Sequence, residues 1–137
     1  MVDKNRVLSK LDDLDAFVRD LTRIAAATFD EYLRTEKKRS CERLLQLSIE
    51  SSLDICKILV SGLRLGLPSE ENDVIEKPQS MGVISDGLAE KLKYMRGFRN
   101  ILVHEYAVVD DQLVYDAIRN RLGDFLEFKE QILKSLK

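Results

Sequence analysis

The sequence predicts an all-α fold, an up-and-down bundle of four long helices with short helices between them, in one domain over residues 1–137. Three observations carry that prediction. Apolar residues recur at three- and four-residue steps, the spacing that gathers them on one helix face. Only two prolines and six glycines occur in 137 residues, so little interrupts a long helix. The composition, 45% hydrophobic and 34% charged, suits a globular chain with a real core and is too apolar for disorder.

The first helix is expected from about Asp3 to Ala27, with Val7, Leu11, Leu14, Val18, Leu21 and Ala25 as its inner stripe. Thr28 caps a helix restart, and Glu31 is placed to complete a capping box. That short piece ends near Thr35. A basic run follows, Lys37, Lys38, Arg39 and Arg43. The plain reading of such a run is a solvated helix end; the sharper one is a patch that contacts RNA phosphates. The next helix, about Lys37 to Leu65, carries two apolar stripes. One reads Leu45, Ile49, Ser52, Cys56, Leu59, Leu63 and the other Leu44, Leu47, Ser51, Ile55, Ile58, Gly62. Two stripes predict burial on two sides, one against the protein's own core and one against a second subunit. Ser48, Ser51 and Ser52 are small enough to admit another helix closely. Glu50 and Asp54 sit beside these stripes and call for cationic partners, for which Arg96 and Arg99 are candidates; surface exposure is the alternative.

Gly66 and Pro68 are expected to stop that helix. A short helix runs from Ser69 to about Glu76, and Lys77–Gly82 connects onward. Ser85 or Asp86 caps the next long helix, with Leu88, Leu92, Met95, Phe98 (or Arg99) and Leu102 inside and Gly97 open to a close backbone approach. Asp110-Asp111 starts a last helix whose buried candidates are Leu113, Ile118, Leu122, Phe125, Leu126, Ile132 and Leu133.

A net charge of −2 argues against a general polyanion binder. The start of the chain has no apolar signal core and no segment reaches a spanning length, so a cytoplasmic protein without a membrane segment is expected. Cys41 and Cys56 fall in one predicted helix, roughly 22 Å apart at about 1.5 Å per residue, beyond disulfide reach. A single histidine and no close cysteine pair offer no recognisable zinc site.

The segment that stands out is Arg99-Asn100-Ile101-Leu102-Val103-His104-Glu105-Tyr106, which contains the only histidine. On a regular helix, positions 99 and 106 share a face, and 104 lies about 140° around from 99. The residue types suit attack on a phosphodiester. Arg99 is permanently charged and can hold two phosphate oxygens at once. His104 titrates near neutrality and can take a proton from a ribose 2′-hydroxyl. Asn100 can orient phosphate or imidazole, and Tyr106 can stack on a base or bond a phosphate. This chemistry requires RNA and needs neither metal nor cofactor. Full acid–base catalysis wants two proton-transfer groups, and a symmetric dimer with two His104 would supply them. A helix-end histidine beside a structural Arg99 ion pair is the competing reading of the spacing alone.

The same eight residues resemble the R-N-x-x-x-H-x-Y signature of HEPN-domain proteins, in particular the HepT-like branch. Leu44–Glu50, Leu53-Asp54-Ile55, Gly66-Leu67-Pro68 and Gly82-Val83-Ile84 extend the resemblance over nearly the whole chain. The resemblance implies a helical, homodimeric, metal-independent ribonuclease toxin of a type VII toxin–antitoxin pair. Its partner would be a minimal nucleotidyltransferase antitoxin that transfers AMP onto the motif tyrosine, here Tyr106. Arg99 and His104 would be catalytic and Asn100 supporting. Asp54 as a partner of Arg99 is our own placement, and Arg96 joins the basic residues as a candidate RNA contact. The alternative is a non-catalytic helical adaptor that binds a nucleotidyltransferase partner or a nucleotide, or a purely structural bundle.

Overall fold

The computed structural model describes residues 1–24, 28–103 and 110–137. Among them seven helices occur: α1 (Lys4–Ile24), α2 (Phe29–Tyr32), α3 (Thr35–Gly62), α4 (Glu71–Ser80), α5 (Asp86–Val103), α6 (Asp111–Asn120) and α7 (Gly123–Ser135). No helix in this set is long and apolar enough to cross a membrane. Each of the seven contributes buried side chains to one core, which Ile84, between α4 and α5, also joins.

The expected stripe of α1 is present. Val7, Leu11, Leu14 and Leu21 are buried and Val18 is half-buried, while Ala25 lies outside the described residues. Thr28 caps α2 as expected, its hydroxyl accepting from the Glu31 amide at 3.1 Å. α3 is the axis of the fold, and α1 lies along it. Ser48, Ser51 and Ser52 are buried at this approach. The Ser51 hydroxyl donates to the Lys10 carbonyl across the gap at 3.1 Å, whereas Ser48 and Ser52 donate to the α3 carbonyls of Leu44 and Ser48 at 2.8 and 3.0 Å. Small residues let the two backbones close up, and each hydroxyl finds an acceptor without water.

Both stripes of α3 are covered within one protomer, by α1 on one flank and by α4, α5, α6 and α7 elsewhere. Ser51, Ile55 and Ile58 of the second stripe are buried, as are Leu45, Ile49 and Cys56 of the first, while Leu44, Leu47 and Gly62 of the second stripe are half-buried. The second stripe is thus closed in part by the protomer's own helices. Leu63, placed inside by periodicity, is instead 39% exposed because α3 has ended one residue earlier.

The end of α3 differs from expectation. The left-handed residue is Arg64 (φ 54°), not Gly66. Leu65 N–H donates to the Val60 carbonyl at 3.0 Å and Arg64 N–H to Ser61 at 3.2 Å, the paired bonds of a Schellman cap. A side chain in this conformation is strained, so Arg64→Gly should raise stability by about 0.5–1 kcal/mol, read as a higher urea midpoint at unchanged slope. Gly66 (φ 90°) turns the chain again before α4.

α4 runs past Pro78, four residues beyond its predicted end. Val74, Ile75 and Pro78 form one buried face, so the proline ring is packed rather than excluded. The last turn is closed by Val83 N–H to the Pro78 carbonyl and Gly82 N–H to Gln79, both at 3.0 Å, with Gly82 at φ 74°. At its start the Asp73 carboxylate accepts from Ser69 N–H (2.9 Å), Ser69 hydroxyl (2.7 Å) and Glu70 N–H (3.2 Å). These bonds, led by the hydroxyl, hold its pKa below the usual carboxylate value.

Ser85 rather than Asp86 caps α5, accepting from Leu88 N–H at 3.1 Å, and Gln131 of α7 bonds both its amide and its hydroxyl. Leu88, Leu92, Met95 and Phe98 are buried as expected and Leu102 is half-buried. A Cβ on Gly97 would meet nothing within 4 Å among the described residues, so no backbone of the protomer uses that gap. The single last helix expected after Asp110 is two. Asn120 and Gly123, both poor helix formers, bracket the break between α6 and α7. The buried set shifts accordingly: Ile118, Phe125 and Ile132 are inside, Leu122 and Leu133 are partly covered, and Leu113 and Leu126 are exposed. Val114, Ala117 and Phe128 take their places.

Candidate functional site

The motif begins on the last two turns of α5. Its buried stripe fixes the rotation of the helix, and that rotation carries Arg96 and Arg99 off the core toward α4. Both guanidiniums reach one carboxylate, Glu71, in the first turn of α4. Arg96 Nη1 lies 3.2 Å from Glu71 Oε2, and Arg99 Nη2 pairs with Oε1. The three side chains are 23%, 21% and 32% exposed, partly withdrawn from water, where screening is weaker than at the surface. Asn100, next along, is half-buried. His104 and Tyr106 lie outside the described residues.

Asp54 does not partner Arg99. It faces α1 with Ser51, one turn before it on α3, and pairs with Lys10 at 3.3 Å and Lys57 at 4.0 Å. Glu50 accepts from Gln46 at 3.1 Å. The helix spacing that put Asp54 beside the inner stripe also turned it toward α1, and Glu71 occupies the place on the guanidiniums. Glu71 escaped the sequence reading because Glu70-Glu71 looks like ordinary helix-start chemistry; nothing local marks one of these carboxylates as a long-range partner.

On the far side of residues 104–109 the chain resumes at Asp110. Its carboxylate caps α6, accepting from Gln112 and Leu113 amides at 3.1 and 3.2 Å. Asp111 pairs with Lys38 at 3.5 Å, so the basic first turns of α3 dock on the start of α6. Lys38 is thereby partly used, while Lys37, Arg39 and Arg43 are exposed. Burial pushes the Glu42 carboxyl up, and Lys38 and Arg39 partly oppose that. At this corner Phe29 stacks on Tyr32 with ring centroids 6.4 Å apart, and Tyr115 meets Phe29 edge-on and Tyr32 at a tilt, both at 5.5 Å. Burial, followed by Glu42, raises the Tyr32 hydroxyl well above its ordinary pKa, so that ring is a packed element. The structure thus joins Arg96 to Arg99 through Glu71, and Lys38 to the first residue of α6, Asp111.

Cys41 and Cys56 are buried free thiols, as the helical separation required. Burial alone pushes Cys56 up to about 12.

What such an arrangement can do is hold an anion. Two arginines share one carboxylate, which leaves one positive charge in surplus among the described residues, five positions before the histidine in sequence.

Comparison with known proteins gives the family and the fold. The chain is 36% identical over 88 residues to a putative RNase of Archaeoglobus fulgidus, a match covering 64% of this chain and 66% of the archaeal protein. It is 27% identical over 125 residues to the tRNA nuclease HepT of Aphanizomenon flos-aquae, covering 90% of this chain and 85% of that protein. The fold matches the tri-AMPylated HEPN toxin of Shewanella oneidensis in complex with its MNT antitoxin, at a TM-score of 0.88, 23% identity and coverage of 98% and 99%. It also matches YutE, a cytosolic protein of Bacillus subtilis, at a TM-score of 0.84, 20% identity and coverage of 98% and 91%. The pattern of the ribonuclease HepT-like family matches residues 8–132. Over nearly its whole length, then, this chain is a member of the ribonuclease HepT-like family.

Proposed function

We propose that the protein is the ribonuclease toxin of a toxin–antitoxin pair, a metal-independent endoribonuclease that works as a homodimer. The observation that carries this reading is Arg99: a half-buried guanidinium, in a cluster with surplus positive charge, five residues before the only histidine. Membership of a ribonuclease family supports it.

In the proposed reaction Arg99 binds the non-bridging oxygens of the scissile phosphate and stabilises charge as it grows there. His104 removes the proton from the adjacent 2′-hydroxyl, whose oxygen attacks phosphorus. The bond to the 5′-oxygen breaks, and that oxygen takes a proton from the second protomer's His104. The products are a 2′,3′-cyclic phosphate and a 5′-hydroxyl end. Asn100 supports the arginine. The exposed Lys37, Arg39 and Arg43, with Lys38 and Arg96, draw in the RNA backbone.

The partner in this reading is a minimal nucleotidyltransferase antitoxin, and Tyr106 is its acceptor. Transfer of AMP from ATP to the Tyr106 hydroxyl, with release of pyrophosphate, would add bulk and negative charge beside Arg99. Toxin–antitoxin complexes and an AMPylated toxin among the structural relatives support this pairing. The absence of a spanning helix among the described residues fits a toxin that meets RNA in the cytoplasm.

The test is to incubate purified protein with single-stranded RNA in EDTA and analyse the ends. Cyclic-phosphate and 5′-hydroxyl termini are expected. Intact RNA, or 3′-hydroxyl ends, would remove the reading.

A further inference from the structure

We propose that Glu71 is a positioning residue: its carboxylate holds Arg96 and Arg99 side by side, so that Arg99 meets the scissile phosphate in one orientation while Arg96 takes a neighbouring phosphate of the same strand. The inference rests on the ribonuclease reading above and assigns work to two residues that the motif does not contain.

The first argument is charge. An ion pair made only to neutralise would balance, and among the described residues this one does not, since one carboxylate faces two guanidiniums. Nearby groups leave the surplus in place. Lys93 is matched by Glu76 at 2.9 Å and Glu90 at 3.8 Å, and Asp73 is occupied by Ser69 and Glu70.

The second argument is donor supply. A guanidinium has five N–H donors, and Glu71 engages each arginine through an Nη group. The Nε of Arg96 and of Arg99 are both buried with no partner among the described residues. The donors open to a second anion are those on the exposed part of each guanidinium, whose side chains keep 23% and 21% exposure, and two such N–H groups can meet two oxygens of a tetrahedral phosphate.

The third argument is rigidity. Glu71 opens α4, and the turn before it is pinned by the three bonds to Asp73. A carboxylate there is favoured by the helix dipole and has little freedom to wander. Arg96 and Arg99 are one turn apart on α5, whose opposite face is locked in the core. Two fixed helices thus meet through one side chain, and an arginine aimed this way loses less orientation when substrate arrives.

Steady-state cleavage of single-stranded RNA by the full-length protein separates this role from a structural one. Glu71→Gln removes the charge and keeps the shape; Glu71→Asp keeps the charge and shortens the reach. Both should melt cooperatively. For Glu71→Gln, kcat should fall about 10- to 100-fold, because the arginine is no longer aimed. Its KM should drop, because the site's net charge rises from one to two. For Glu71→Asp, kcat should fall with KM unchanged. If Glu71→Gln does not fold, the Asp variant alone decides. Wild-type kcat in the folded variants would overturn the proposal, and so would a rise in kcat, which would make Glu71 a competitor of substrate. Either result alongside cleavage that depends on His104 would leave the ribonuclease reading standing. A wild-type protein that leaves RNA intact would end both.

Discussion

Replacing His104 with Ala should abolish RNA cleavage, and replacing Arg99 with Ala should nearly do so. Proton transfer by a placed side chain is worth about 10²–10⁴-fold, and loss of one charge-stabilising donor about 10²–10³-fold. The two losses have different signatures. His104→Ala removes the proton acceptor and leaves the cationic cluster, so RNA should still bind with wild-type affinity. Arg99→Ala removes a phosphate ligand and the surplus charge with it, so binding weakens as well. The fold should survive both changes. Glu71 retains Arg96 at 3.2 Å, so no carboxylate is left uncompensated. Cleavage assays and RNA-binding isotherms on the purified variants check this. Retained cleavage by metal-free His104→Ala would exclude that imidazole from the reaction.

The second large effect is on stability. Phe128→Ala should cost about 3–5 kcal/mol, because the ring is fully buried in α7 and its removal leaves a cavity between close-packed helices. Leu126→Ala, two residues earlier, should change stability by no more than about 0.5 kcal/mol, since Leu126 is 58% exposed. Urea denaturation of the two variants gives the comparison directly. Similar midpoints would mean that the packing of α7 is not as described.

That pair of residues also shows where sequence reading succeeds and where it fails. Periodicity located α1, α3 and α5 and their inner faces, because long helices average over many residues and a wrong choice at one position is outvoted. It failed at the end of the chain, where one apolar pattern was read through Asn120–Gly123 as a continuous helix. The buried positions 114, 118, 125, 128 and 132 keep helical steps across that break, so the error lay in the choice of face: Leu113 and Leu126 are exposed, and Val114 and Phe128 are buried in their place. At helix ends the sequence offered glycines and prolines, and the fold used other means: Arg64 in a left-handed cap and Pro78 buried within a last turn. The site was legible in part. Arg99 and Arg96 were named from residue type and spacing. Their carboxylate was assigned to Asp54, on the wrong helix. Pairings between residues 71 and 99 depend on how α4 packs on α5, and local spacing carries no information about that.

The cover that its own neighbours give the core face of α3 has a further consequence. A protomer whose core is closed by its own helices can hold its fold before it meets a twin. Its association with a twin would follow mass action, rising and falling with concentration. Mixed pairs of active and inactive chains should then form freely by exchange, which an obligate, co-folded pair would not permit.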